Sequence, residues 1–412
     1  MAKEHIIVGL DVGTCYVRTV VAKVKDGQLK PQIVGIGQAV STGLRRGVVV
    51  DIEETIKSIN QSVQEAKRAS GLPIEKVYVS ISGSHISSKF SKGVVAVSRA
   101  DGEVSEEDVA RAINAASAIS LSPNREIIHV IPRSFSVDNQ TQIKDPVGMN
   151  GVRLEVETLI IEGATPFVKN LTKCVSDAGL ELEELIVAPL AASRSALAKR
   201  QKELGVLILD LGGGTVGMTV FEEGDIIHNY ILPIGSAHIT NDIAIGLRSS
   251  IDLAEKIKLE YGVSLATEVS KKDNIDLAKL SLEDKGIIPR IELAEIIEAR
   301  LCEVLDLANK ELRKIDRQGL LPAGVILVGG GAKMPGLVDL TKEKLRLPAQ
   351  IGFPLDFDGV IEEVDDPSFA TAVGLVLYGM DAQCGKIQKG FSLPVVSPVF
   401  SKIKKWIRGF LP

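Results

Sequence analysis

At 412 residues the chain is too long for one ordinary hydrophobic core, so two to four domains are expected. Its 45% hydrophobic and 25% charged content is that of a globular protein folded in water. A formal net charge of −5, with no Lys/Arg tract in the body of the chain, argues against nucleic-acid binding, and no run approaches the roughly 20 apolar residues of a spanning helix.

Residues 1–4 lead straight into an apolar strand at 6–10 with no secretory pattern, which predicts a cytoplasmic protein. That strand runs into Asp11, a Gly13-Thr14 turn and a second β-branched strand. The pattern is a hairpin with the aspartate at the end of its first strand. The spacing of Ile52, Ile56, Ile59, Val63 and Ala66 predicts a helix over 52–70, and a strand follows at 76–81. Residues 83–163 interrupt this plan as a small α+β insert. Strand-like segments at 93–98, 127–137 and 152–161 surround a helix capped by Ser105 and ending near Ala118. An amphipathic helix at 165–178 and a short buried strand at 185–187 come next.

Residues 206–226 then repeat the opening motif: apolar strand, Asp210, the turn Gly212-Gly213-Gly214-Thr215 and a second strand. Two such hairpins, about 200 residues apart, predict related halves facing a cleft, against the alternative of two chance hairpins. Residues 241–315 are mainly helical and rich in charge. A buried strand at 324–328 ends in Gly329-Gly330-Gly331, and a helix at 369–378 closes the globular part. Residues 381–397 read as a linker, with Gly385, Gly390 and Pro394 and little periodicity. The four cysteines and five histidines are scattered without metal or redox spacing, so reduced thiols are expected.

Phosphates need backbone N–H donors at close range, and glycine lets the chain approach that closely. Gly13-Thr14 and Gly212-Gly213-Gly214-Thr215 are such turns, each with a threonine hydroxyl. Asp11 and Asp210 are placed to hold the waters of Mg²⁺, which keeps most of its shell and needs one or two carboxylates. Gly329-Gly330-Gly331 offers a third close approach, under the adenosine of a nucleotide. Glu255 and Lys258 share one helix face, within reach of a ribose or base edge, or form an ordinary surface ion pair. Neither GxGxxG nor GxxxxGK[ST] is present.

The segments DVGT at 11–14, DLGGGT at 210–215, VGGGAKMPGL at 328–337 and LAEKIK at 253–258 resemble the phosphate and adenosine motifs of the actin superfamily. The stretch Asp145 to Leu154, DPVGMNGVRL, resembles a signature of the FtsA family, which carries a small subdomain at this point of the chain. Read alone, it is turn chemistry. The resemblance implies an α/β, actin-like (ribonuclease-H-like) two-domain ATPase fold with a small α+β insert subdomain and a C-terminal amphipathic helix. It places a first domain at 1–82 and 164–200, with 369–380 packing near it, and the insert at 83–163. A second domain at 201–240 and 316–368 carries a helical subdomain at 241–315, before the linker at 381–397 and the tail at 398–412. ATP and Mg²⁺ are the implied cofactors.

Two departures from DnaK-type chaperones bear on catalysis. Ala188-Pro189 stands where they have Glu-Pro, and Gly217 where they have Asp. Two carboxylates able to orient water or metal are missing, so ATP binding with slow or negligible hydrolysis is expected.

The tail tests well as a helix, with Ser397 as N-cap and Pro398 first. At about 100° per residue, Val399, Phe400, Ile403, Trp406, Ile407, Phe410 and Leu411 fall within roughly 140°. Lys402, Lys404, Lys405 and Arg408 take the remainder, with no acid among them. A helix of about 21 Å cannot span a bilayer, so an interfacial anchor on anionic lipid is expected rather than packing on the body.

The resemblance further implies self-association into actin-like filaments and binding of the C-terminal peptide of FtsZ on the helical subdomain. Arg290 and Arg300 are candidates for that acidic peptide, or else simply solvated helix positions. The expected function is therefore an ATP-binding cell-division protein that polymerises and tethers FtsZ filaments to the cytoplasmic membrane with other division proteins. The alternatives are a small-molecule kinase of the same superfamily and a PilM-like membrane-associated scaffold.

Overall fold

A computed structural model describes residues 4–25, 27–118, 123–280, 286–359 and 362–383. The tail and most of the linker lie outside them. The chain divides into two units, one of residues up to Ser84 and from Phe167 to Gln383, the other containing His85–Pro166.

The first unit holds two five-stranded sheets with the same topology. In one, the spatial order is Glu181–Val187, Lys76–Ile81, Glu4–Val12, Tyr16–Lys25, Gln32–Val40. In the other it is Ala349–Ile351, Val325–Val328, Val206–Leu211, Val216–Glu222, Asp225–Leu232. Each sheet opens with an antiparallel three-strand meander and adds two parallel strands on the side of the first. The repeated motif is thus a repeated fold. Leu207, Ile208 and Leu209 are all fully buried, which explains why that strand reads as a continuous apolar run rather than an alternation.

Helix Ile52–Ser70 has the predicted limits. Asp51 accepts from Glu54 N–H at 3.0 Å at its start, and Gly71, at φ 68°, ends it in the left-handed conformation. The final helix departs from expectation. It spans Ala370–Gln383, so residues 381–383 are helical and not linker. The cause is tertiary: Asp381 receives Arg194 Nε at 2.7 Å and Nη2 at 3.2 Å, which holds the last turn.

The same helix carries Tyr378, whose hydroxyl donates to Glu184 Oε1 at 2.8 Å. Burial lifts the Glu184 carboxyl to about 7, against the opposing pull of that hydrogen bond. The folded pKa lies above the unfolded one, so stability is lost as pH rises from about 4.5 to 7 and stays lower beyond. Glu184→Gln keeps an acceptor for Tyr378 and should stabilise the protein at pH 8 by up to about 3 kcal/mol, with little effect at pH 4.5. Thermal melts of both proteins across that range check it. Parallel curves would show that Glu184 does not titrate there.

The second unit has a four-stranded antiparallel sheet in the order Ser87–Ala96, Arg153–Ala164, Arg125–Val137, Gln140–Ile143. Helix Glu106–Ser117 packs on it through Ala112 and Ala116, in a core with Val104, Phe135, Val137, Leu154 and Val156. Ser105 and Asp108 form a reciprocal capping box at its start. The stretch at 145–154 is structural here. Gly148 turns at φ 84°, Val104 N–H donates to Met149 carbonyl at 2.8 Å, and Met149 joins the core.

Candidate functional site

The two glycine bends close in the same way. Gly13 N–H donates to Tyr16 carbonyl at 3.1 Å, and Gly212 N–H to Thr215 carbonyl at 3.0 Å. Strand pairing sets Asp11 opposite Arg18 and Asp210 opposite Gly217, two residues before each bend. The bends meet in space. A Cβ on Gly213 would overlap Cys15 Sγ, and one on Gly214 would lie 2.5 Å from Thr14 Oγ1. Ser82 and Thr215 hydroxyls lie 3.1 Å apart across the same junction. Among the described residues, no backbone hydrogen bond within the chain uses the N–H groups of Thr14, Cys15, Gly213 or Gly214. The fold itself does not use those donors.

The third glycine run joins them. Gly329 has φ 83°, and a Cβ there would lie 2.5 Å from Asp210 Oδ1. A Cβ on Gly331 would lie 2.5 Å from Ser236 Oγ, whereas Gly330 faces open space. Asp11, Asp210 and the 329–331 run therefore meet in one place beside the bends.

Its electrostatics are unfavourable without a cation. Burial, then the neighbouring Asp11 charge, lifts Asp210 to about 6. Burial also raises Asp11, against a hydrogen bond from Ser80 Oγ at 2.7 Å. Thr371 Oγ1 donates to Asp210 Oδ2 at 3.2 Å. Two facing carboxylates with hydroxyl neighbours are a hard oxygen donor set that suits Mg²⁺ held through water. Among the described residues no group of three or more His, Cys, Asp or Glu converges as a closed metal site.

Glu255 and Lys258 do lie on one face of helix Ile251–Tyr261, as their spacing predicts. They are not an ordinary surface pair, because Lys258 is buried. Its Nζ donates to Glu255 Oε2 at 2.7 Å and Thr240 Oγ1 at 2.9 Å, and Thr240 also bonds Glu255. Desolvation, then the Glu255 charge, pushes the Cys15 thiol up, with Lys258 and Arg18 pulling the other way. The pair thus belongs to the neighbourhood of the first bend.

Gly217 and Pro189, noted separately in the sequence, are in contact. A Cβ on Gly217 would meet the Pro189 ring at 3.0 Å. Arg290 and Arg300 sit on helix Arg290–Lys314, and both are engaged. Arg300 forks onto Asp242 at 2.5 and 2.8 Å, while Arg290 Nε donates to Tyr261 carbonyl at 3.0 Å. Phe400, Ile403, Lys404, Lys405, Trp406, Ile407, Arg408, Phe410 and Leu411, expected from the sequence to meet the membrane, lie outside the described residues.

Sequence reading missed Ser80, Ser82, Ser236, Thr240 and Thr371. Single hydroxyls carry no local signature.

Two α/β sheets of identical topology, joined at paired glycine bends and accompanied by an inserted α+β unit, define an actin-like ATPase fold. Solved structures agree. The chain matches the PilM-PilN type IV pilus biogenesis complex at TM-score 0.67 and 18% identity, covering 90% of this chain and 98% of that one. It matches MreB5 of Spiroplasma citri bound to ADP at TM-score 0.53 and 13% identity, covering 93% and 99%. A family model described as Cell division protein FtsA matches residues 207–374, and another, SHS2 domain inserted in FTSA, matches 83–162. The chain is 37% identical over 411 residues to Cell division protein FtsA of Pseudomonas aeruginosa and 39% identical over 407 residues to that of Borreliella burgdorferi, covering 98% of each chain. It belongs to the FtsA family, the actin-like proteins of bacterial cell division.

Proposed function

We infer that this chain binds Mg-ATP in the crevice between the glycine bends and links FtsZ filaments to the membrane through its C-terminal tail. The observation that carries the nucleotide reading is the convergence of Asp11, Asp210, both bends and the 329–331 run around one crevice. The bends closed by Gly13 and Gly212 would wrap the phosphates, with the backbone N–H groups of Thr14, Gly213 and Gly214 and the Thr215 hydroxyl turned toward them. Asp11 and Asp210 would hold Mg²⁺ through water, and the metal would neutralise charge on the phosphate oxygens. Gly329, Gly330 and Gly331 would lie under the adenosine, with Glu255 and Lys258 toward the ribose or base. The apolar contact of Gly217 with Pro189 supports slow or negligible hydrolysis, since no carboxylate there orients a water.

The cationic, apolar sequence at 398–412 supports a membrane-surface anchor. Its four basic residues would contribute up to about 4 kcal/mol on anionic lipid. An acidic FtsZ peptide would bind the helical subdomain near Arg290 and Arg300, where it must compete with Asp242 for the Arg300 fork. Self-association would be head-to-tail, as in actin-like filaments. Co-sedimentation with anionic liposomes, FtsZ and ATP tests the whole reading. The full chain should bring FtsZ down with the lipid, and deletion of residues 398–412 should leave both in the supernatant. Unchanged lipid binding after deletion would remove the anchor from the account.

A further inference from the structure

The segment before helix Ile52–Ser70 closes as a tight hairpin. Leu44–Arg45 pairs with Val48–Val49, leaving Arg46 and Gly47 at the tip. Both tip residues have positive φ, 50° and 77°. That backbone is normally supplied by Asn-Gly or Gly-Gly. A long side chain held there calls for a reason outside the turn.

The tip sits at the junction of the two glycine bends. Gly47 N–H donates to Thr14 Oγ1 at 3.0 Å, which ties it to the first bend. A Cβ on Gly214 would lie 2.9 Å from the Arg46 Cα, so the same tip touches the second. Arg46 is exposed, and among the described residues its guanidinium has no hydrogen bond or ion pair. Other cations nearby are committed. Lys258 is bound to Glu255 and Thr240, and Arg18 donates to Gln38 and lies over the Tyr16 and Phe369 rings. The crevice itself presents two carboxylates, so each added phosphate gains from an uncommitted cation at its rim. A guanidinium grips two phosphate oxygens at once, which an ammonium cannot do.

We propose that Arg46 contacts the terminal phosphate of a bound nucleotide and so sets the preference of this chain for triphosphate over diphosphate. The inference rests on the nucleotide reading of the crevice. It assigns to the hairpin tip a specificity role that depends on phosphate number and not on general charge.

The test is calorimetric titration of the full chain, with Mg²⁺, using a non-hydrolysable ATP analogue and ADP in parallel. Arg46→Gly retains the left-handed turn and should fold normally. It should weaken triphosphate binding about tenfold, or about 1.4 kcal/mol, with ADP affinity within about twofold of wild type. Arg45→Ala removes the same charge one residue away and should leave both affinities unchanged. Equal losses for the two nucleotides, or no loss for either, would overturn the proposal while leaving the nucleotide site intact. A wild-type chain that binds neither nucleotide would overturn the site itself, and this inference with it.

Discussion

Asp210→Asn should raise the melting temperature of the nucleotide-free protein and remove its stabilisation by Mg-ATP. The two effects have one cause. Asp210 is buried beside the Asp11 carboxylate, and at neutral pH the fold carries both charges at a cost. Neutralising one relieves up to about 3 kcal/mol while keeping an oxygen for the Thr371 hydroxyl. The same change deletes half of the carboxylate pair for Mg²⁺, so Mg-ATP affinity should fall about 10–100-fold. Thermal melts with and without Mg-ATP distinguish the outcomes. A variant less stable than wild type without ligand would show that Asp210 serves the fold. A variant with full Mg-ATP stabilisation would show that the metal lies elsewhere.

Gly374→Val should cost about 3 kcal/mol or more, enough to leave the chain poorly soluble. Helix Ala370–Gln383 crosses helix Ala188–Ala196 with Gly374 at the contact. A Cβ there would overlap the backbone carbonyl of Ala191, with its Cα only 3.2 Å away. Backbone on both sides cannot step aside as a flexible side chain could, so the helices must separate. Separation strips cover from Leu375 and Val376, both fully buried, and disturbs Thr371 at Asp210. Gly330→Ala is the matched control. Its Cβ would face open space, so chemical denaturation should show a change within about 0.5 kcal/mol. Equal stability of the two variants would mean that the helix crossing is looser than the structure shows.

Much of the architecture was legible because its signals are local. Strand runs ending in Asp and a glycine turn are written in consecutive residues, at 6–14 and at 206–215, and the same topology followed from both. Helix Ile52–Ser70 was legible from the spacing of Ile52, Ile56, Ile59, Val63 and Ala66, and the structure adds Asp51 and Gly71 as its caps. The end of the last helix did not, because Arg194 holds Asp381 from 187 positions away. Glu255 and Lys258 were visible as a pair, but the burial that makes Lys258 part of the crevice comes from Thr240 and Ser236 on another helix.

The amino-acid order by itself determined the hairpins, the glycine bends, the insert and the amphipathic pattern of residues 398–412, since each depends on neighbours along the chain. Tertiary structure alone decided that Ser80 and Thr371 would reach Asp11 and Asp210 across 69 and 161 residues, that Gly217 would lie on Pro189, and that Arg46 would stand between the bends. The physical reason is range. A turn or helix stripe is set by torsions a few residues apart, whereas a hydroxyl or a guanidinium acquires its partner only when packed sheets bring distant segments within hydrogen-bonding distance.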